Sequence, residues 1–203
     1  MDTYNDFAEL ATNTEEGRDF CVRFRNRPGA TVVIAPHGGG IEPGTSEIAE
    51  AIAGDELSFY VFEGIRQNGN QKLHITSTRF DEPRCIALVT ASPSAIAVHG
   101  EDSGEETAFL GGLDEAVLNR LRDSLMAEGF NVHTHKNSAL QGWDKANTCN
   151  RAQSTRGVQM ELSNGLRSSF FESLTRRGRK SRTARFEQFV AAVRQAILCP
   201  AAL

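Results

Sequence analysis

The 203-residue sequence contains no run approaching the roughly 20 consecutive apolar residues that a helix needs to cross a bilayer, so no helical membrane span is expected. Its opening stretch, MDTYNDFAEL, is acidic and has neither the basic nor the apolar segment of a secretory signal, which points to synthesis in a cytoplasm. Cysteine is sparse. Cys21, Cys85, Cys149 and Cys199 stand far apart with no CxxC among them, which excludes a zinc knuckle and predicts reduced, unpaired thiols. No internal repeat or low-complexity tract occurs. The formal net charge of −4 is too small to steer the whole chain to nucleic acid or a membrane.

With 39% hydrophobic and 24% charged residues, the composition is that of a globular protein, and the length predicts one domain over residues 1–203. Charge is unevenly spread. Between Arg167 and Arg185 stand seven Lys or Arg and one acid, Glu172, a local balance of +6 that leaves −10 on the remainder. Such a block is either a solvated face or a polyanion-binding patch. No aromatic residue interleaves with the cations from Arg176 to Arg185 as a stacking platform, so nucleic acid is not an expected partner.

The alternating FCVRFRN predicts an edge strand, and the β-branched TVVIA a buried one. After the glycine loop a helix is expected, capped by Thr45 or Ser46 and stopped by Gly54. SFYVFEG, AIAVHG, TAFLGG, NVHTH and GVQMELS read as further strands. Helices are expected after Pro83, across DEAVLNRLRDSLMAEGF, and over residues 183–198. Alternating strands and helices predict an α/β fold, a mixed and mostly parallel sheet flanked by helices.

Ligands in such sheets gather beyond the carboxyl ends of strands. His37 follows TVVIA and His99 ends AIAV, each trailed by glycine, with Glu42 in the same loop as His37. Two imidazoles and a carboxylate make a common catalytic zinc set, although strand-end histidines also serve as plain hydrogen-bonding loop residues. A phosphate loop is excluded: no Gly-Lys-Ser/Thr follows the glycines, and Glu42 would repel phosphate. His133 and His135 form a rival pair that reads better as a half-exposed edge strand, and His74 is a substrate contact or a structural residue. In GVQMELS, alternation sets Gln159, Glu161 and Ser163 on one face. Glu161 there is a general base, an exposed strand glutamate or an ion-pair partner. Asn150, Arg151 and Arg167 are candidates to grip carboxylates, or are ordinary surface residues.

Taken in order, APHGGGIEPGTSEIAEAI, LHITSTRFDEP, AIAVHG, FLGGLDEAVLNRL, NTCNRA and GVQMELSNGLR resemble the blocks of the poly-γ-glutamate hydrolase family over residues 31–171. That family, which includes phage and prophage proteins, is similar in fold and zinc chemistry to metallocarboxypeptidases. The resemblance implies Zn²⁺ held by His37, Glu42 and His99, Glu161 as general base, and substrate contacts from Asn150, Arg151, Arg167 and His74. The Asn150–Arg151 pair follows the last ligand, whereas in carboxypeptidases it precedes it, and the spacing from His37 to Glu42 is longer. The implied activity is cleavage of γ-glutamyl amide bonds in poly-γ-glutamate, and the lack of a secretory signal suits an enzyme released when the host lyses; the sequence leaves the oligomeric state open, with a monomer expected. A carboxypeptidase-like or deacylase activity on small γ-glutamyl or N-acyl compounds is the alternative within hydrolases. A non-catalytic phage protein binding polyanions is the alternative outside them.

Overall fold

Seven strands form one sheet in the computed structural model, which describes residues 2–198. They are β1 (Phe20–Arg25), β2 (Val32–Gly39), β3 (Ser58–Gly64), β4 (Ala95–Glu101), β5 (Thr107–Gly112), β6 (Asn131–His133) and β7 (Val158–Ser163). The spatial order is β1-β3-β2-β4-β7-β5-β6. The four central strands β3, β2, β4 and β7 are mutually parallel, while β1 and β5 run antiparallel to β3 and β7. The mixed, mostly parallel sheet expected from the sequence is therefore present, with β1 on an edge.

Helices cover both faces. Val33, Ala35, Ile96, Val98 and Met160 pack with α2 (Thr45–Ala53), α4 (Glu115–Ala127) and α6 (Ala184–Leu198). Val32, Ile34, Tyr60, Phe62 and Ala97 pack on the other side with α1 (Phe7–Asn13) and α3 (Pro83–Ala91), helped by Leu73, Ile75 and Phe80. Burial on both sides explains why β2 is continuously apolar before its glycines. The chain leaves β2 through α2 on one face to reach β3, then returns through α3 on the other face to β4. The crevice between the carboxyl ends of β2 and β4 is thus a topological switch point, where open α/β sheets bind ligands.

Several local expectations hold for stated reasons. Pro83 opens α3, where its missing N–H costs nothing, and Glu82 accepts from Cys85 N at 2.9 Å. Asp114 caps α4, and Gly129 at φ 73° follows its end. The expected capping of α2 by Thr45 or Ser46 does not occur. Gly44, at φ 100°, is the entry residue, so the chain turns into the helix earlier. Thr45 Oγ1 instead donates to Glu42 O, and Ser46 Oγ accepts from Gly39 N at 3.1 Å. The helices α1 and α5 (Asn164–Ser169) were not expected; Ser163 ends β7 and caps α5 by accepting from Leu166 N. Cys21, Cys85 and Cys149 are unpaired, while Cys199 lies outside the described residues. No helix among the described residues is long and apolar enough to cross a membrane.

The basic block is not one solvated face. Arg179 pairs with Glu47 at 2.7 Å, and Arg182 and Arg185 lie over the rings of Phe186 and Phe130. Arg167 is only 1% exposed, and its guanidinium donates to three carbonyls: Leu162 O at 2.9 Å, Pro43 O at 2.7 Å and Glu101 O at 3.0 Å. It lies over Gly100, where a Cβ would meet the guanidinium carbon at 2.7 Å. The side chain thereby ties β4, β7 and the β2–α2 loop together. Arg167→Met removes all three donors and is expected to lower the unfolding free energy by about 3 kcal/mol, read by urea denaturation. A loss well under about 1 kcal/mol would show that water satisfies those carbonyls.

Candidate active site

A single extra residue decides where His37 points. Ala35 pairs with Val61 and Gly38 with Glu63, so β2 spends three steps where β3 spends two. Strict alternation would have put His37 on the α2 side with Val33 and Ala35. The bulge turns it to the α3 side, where His99 and Glu161 already lie. The glycines permit this. A Cβ on Gly38 would collide with Ser46 Oγ, and Gly39 sits at φ 65°, where a Cβ would meet Gly64 O at 2.5 Å. The loop closes when Glu42 N donates to His37 O at 2.8 Å.

His37 Nδ1 lies 3.1 Å from Glu42 Oε1 and 3.1 Å from His99 Nδ1, and His99 Nδ1 lies 3.7 Å from Glu42 Oε2. His37, Glu42 and His99 form the one group of metal-type donors that converges in this way among the described residues. Tautomers are set from behind. His37 Nε2 donates to Ile75 O at 2.8 Å, which leaves a lone pair on Nδ1, and His99 Nε2 stands 3.3 Å from Ser77 Oγ. Two imidazole nitrogens so close to each other and to a carboxylate need a cation or a proton between them. The donor set fits zinc. Burial would raise the Glu42 pKa, yet the His37 and His99 imidazoles hold it well below the usual carboxylate range. Burial likewise opposes charge on His99, but the Glu161 and Glu42 carboxylates raise its pKa.

Glu161 on β7 stands in register with His99 on β4. It is buried, and burial pushes its carboxyl up to about 7, with Glu42 and Glu101 adding to the rise and His99 opposing it. Gln159 Nε2 donates to Glu161 Oε1 at 2.8 Å and to Leu140 O at 3.1 Å, while Gln159 Oε1 accepts from Asn147 Nδ2 at 2.7 Å. The amide is held at both ends and fixes the carboxylate.

His74 lies against His37, with ring centroids 4.0 Å apart and planes tilted by 35°, and its Nε2 is 3.9 Å from Glu42 Oε1. Its Nδ1 donates to Asp2 Oδ1 at 2.7 Å; Asp2 also accepts from Thr76 N and from Arg79. The neighbouring His37 imidazole and burial lower the His74 pKa to about 4, so at neutral pH it is uncharged.

Two proposed carboxylate grips have other partners. Asn150 Nδ2 donates to Gly142 O and Asp144 O, both at 2.8 Å, and its Oδ1 accepts from Gly157 N. Arg151 donates to Ala146 O and Thr78 O, each at 2.8 Å. Together they brace the polar loop that leads into β7, because buried carbonyls there need donors. Arg167 clamps carbonyls as described. All three side chains are thus engaged with the scaffold in this structure. β6 ends at His133, so His133 and His135 do not share a strand face; His133 is exposed and His135 leans on Phe109. Ser77, Asp2 and the Ile75 carbonyl were not foreseen. A backbone carbonyl leaves no mark in a sequence, whereas Gln159 was visible as Glu161's neighbour on the same strand face.

The chain is similar to known proteins over nearly its whole length. The family model described as poly-gamma-glutamate hydrolase matches residues 4–192. The UPF0714 protein YmaC of Bacillus subtilis (strain 168) is 33% identical over 196 residues, covering 95% of this chain and 83% of YmaC. A bacteriophage poly-gamma-glutamate hydrolase superposes with a TM-score of 0.93 at 28% identity, covering 97% of this chain and 96% of the other. A zinc-free apo structure of YNDL superposes with a TM-score of 0.91 at 33% identity, covering 98% of each chain. The reading of the basic block as a non-catalytic polyanion binder gives way to that of a hydrolase. With nearly the whole chain matched in sequence and fold, the protein belongs to the poly-gamma-glutamate hydrolase family and is a hydrolytic enzyme.

Proposed function

We propose that the chain is a single catalytic domain that cleaves γ-glutamyl amide bonds of poly-γ-glutamate, with zinc held by His37, Glu42 and His99 and with Glu161 as general base. The observation that carries this reading is the convergence of three metal-type donors on a point beside a buried, amide-anchored carboxyl. When bound, zinc supplies a Lewis acid for a carbonyl oxygen and acidifies water.

The chain's own residues do the rest. Ile75 O and Ser77 hold the two imidazoles with Nδ1 forward, so the ligands need not reorganise. A carboxyl with a pKa near the working pH can take a proton from the attacking water and deliver it to the leaving nitrogen, and Glu161 has that character. Gln159 keeps the carboxylate from rotating away. His74, neutral and anchored by Asp2, turns its free Nε2 towards the site and is our candidate for an acceptor to a substrate amide N–H. The similar bacteriophage poly-gamma-glutamate hydrolase supports this polymer as the substrate.

Metal analysis is expected to find about one zinc per chain, lost in His99→Ala. The zinc-loaded protein should shorten γ-linked polyglutamate and leave the α-linked polymer intact. Glu161→Gln should keep its metal and lose about 10²–10⁴-fold in kcat. A wild type that cuts neither polymer after zinc loading would overturn the proposal. Full activity in Glu161→Gln would remove the base assignment.

Gln159→Leu tests the anchor. The variant should retain zinc and lose at least about tenfold in kcat with polymer KM little changed. A wild-type kcat would mean that the carboxylate is positioned without the amide.

A further inference from the structure

Beside the metal-type group, on the other wall of the β2–α2 loop, lies a groove of about 370 Å³. Gly40 and Pro43 of that loop, which flank Glu42, form one side. Arg66, Gln67 and Asn70 from the segment after β3 form another, and Leu174, Arg176 and Arg179 close it. Three guanidiniums line the groove and no carboxylate does. The acids that pair with two of them, Asp19 with Arg66 and Glu47 with Arg179, are not among the lining residues.

Each arginine is anchored through part of its fork and keeps donors in reserve. Arg66 uses Nε on Asp19, Arg179 uses Nε on Glu47 and Nη1 on Leu174 O, and Arg176 uses Nη2 on Ile65 O. The remaining side-chain N–H groups have no hydrogen-bond partner among the described residues. Arg176 also has no ion-pair partner among them and is exposed, so its charge is the least compensated of the three. Pre-anchored guanidinium forks suit planar carboxylates, which they take bidentately. The lining contains no aromatic side chain on which a nucleobase could stack. The volume is in the range of small-ligand sites, enough for a short stretch of chain.

We infer that this groove is a carboxylate subsite, in which Arg66, Arg176 and Arg179 hold the free carboxylates of an anionic γ-linked chain running on from the metal-binding loop. The inference rests on the polymer-cleaving function proposed above and assigns it a determinant of chain-length preference. A substrate long enough to reach the groove gains contacts that a short one lacks. Because the groove shares the Glu42 loop as a wall, its occupant and the scissile bond can belong to one strand.

The test uses the zinc-loaded full chain. Labelled poly-γ-glutamate is titrated into Glu161→Gln protein, with and without Arg176→Ala or Arg176→Glu. Turnover of long polymer and of a γ-linked glutamate dimer is measured in the corresponding single variants. Arg176→Ala should weaken polymer binding about fivefold, and the charge reversal further. The loss in turnover should fall on polymer KM rather than kcat, lowering the preference for polymer over dimer. Arg177→Ala, an exposed neighbour outside the groove, should leave polymer turnover unchanged and so control for net charge. Unchanged binding in both Arg176 variants would overturn the subsite, as would an equal loss on polymer and dimer. Duplex DNA bound as tightly, with the same Arg176 dependence, would overturn the polycarboxylate assignment. If the wild type cuts no γ-linked polymer but polymer binding still depends on Arg176, the subsite stands and the catalytic reading falls.

Discussion

Two imidazole nitrogens held 3.1 Å apart, with a carboxylate oxygen equally near one of them, are the constraint around which the structure is arranged. Lone pairs do not converge at that distance unprovoked. They are forced together because His37 spends its other nitrogen on the Ile75 carbonyl, while Ser77 stands behind His99. The segment that supplies both partners is itself pinned. Asp2 accepts from Thr76 N and His74, and Arg151 donates to Thr78 O. Leu73, Ile75 and Phe80 seat this segment in the core, and hydrogen bonds from Asp2 near the start of the chain and from Arg151 fix its backbone further. The hydrogen bonds behind the ligands orient them towards one point, and a cation or proton there would relieve the repulsion among their lone pairs.

The sheet contributes the second half of the arrangement. His99 and Glu161 need no special backbone, since neighbouring parallel strands in register present residues to the same side. His37 does need one. Only the extra residue between Ala35 and Gly38 brings it to that side, and only glycine could follow it so close to Ser46 and the end of β3. The switch in strand order between β2 and β4 then leaves a crevice that no crossover helix fills. Topology provides the location, and the bulge provides the aim.

This explains what the sequence could and could not convey. Strand and helix types were legible, because two-sided burial writes itself as runs such as TVVIA and as the 3.6-residue spacing of Leu118, Leu121 and Leu125. His37, Glu42, His99 and Glu161 were legible as strand-end or strand-face residues beside glycines, and became a set only through their order along the chain. The arginines were not. Charge and length suggested ligand contacts for Arg151 and Arg167, yet both spend their donors on backbone carbonyls. Nothing local distinguishes an arginine that meets a carbonyl from one that meets a substrate, because the acceptor is set by tertiary structure. The capping of α2 failed for a similar reason. Thr45 and Ser46 have suitable side chains, but Gly44 turns the chain first, and their hydroxyls then serve the loop that carries Glu42.

The same division of labour among arginines bears on how an anionic polymer could be handled without being held too tightly. A cleft full of unpaired guanidiniums would bind a polycarboxylate strongly in the ground state, which lowers KM without speeding the chemical step. Here Arg167 and Arg151 are spent inside the scaffold, and Arg66 and Arg179 are partly offset by Asp19 and Glu47. The least compensated cation, Arg176, lies in the groove rather than among the metal-type donors. A charge suited to attracting an anionic chain is thereby kept apart from the carboxylates Glu42 and Glu161, whose protonation answers to each other and to the imidazoles. An arginine between them would lock Glu161 as a carboxylate and remove its capacity to return a proton. If the groove is the carboxylate subsite and Glu161 the base, their separation by the β2–α2 loop would let attraction for substrate and proton transfer be adjusted independently.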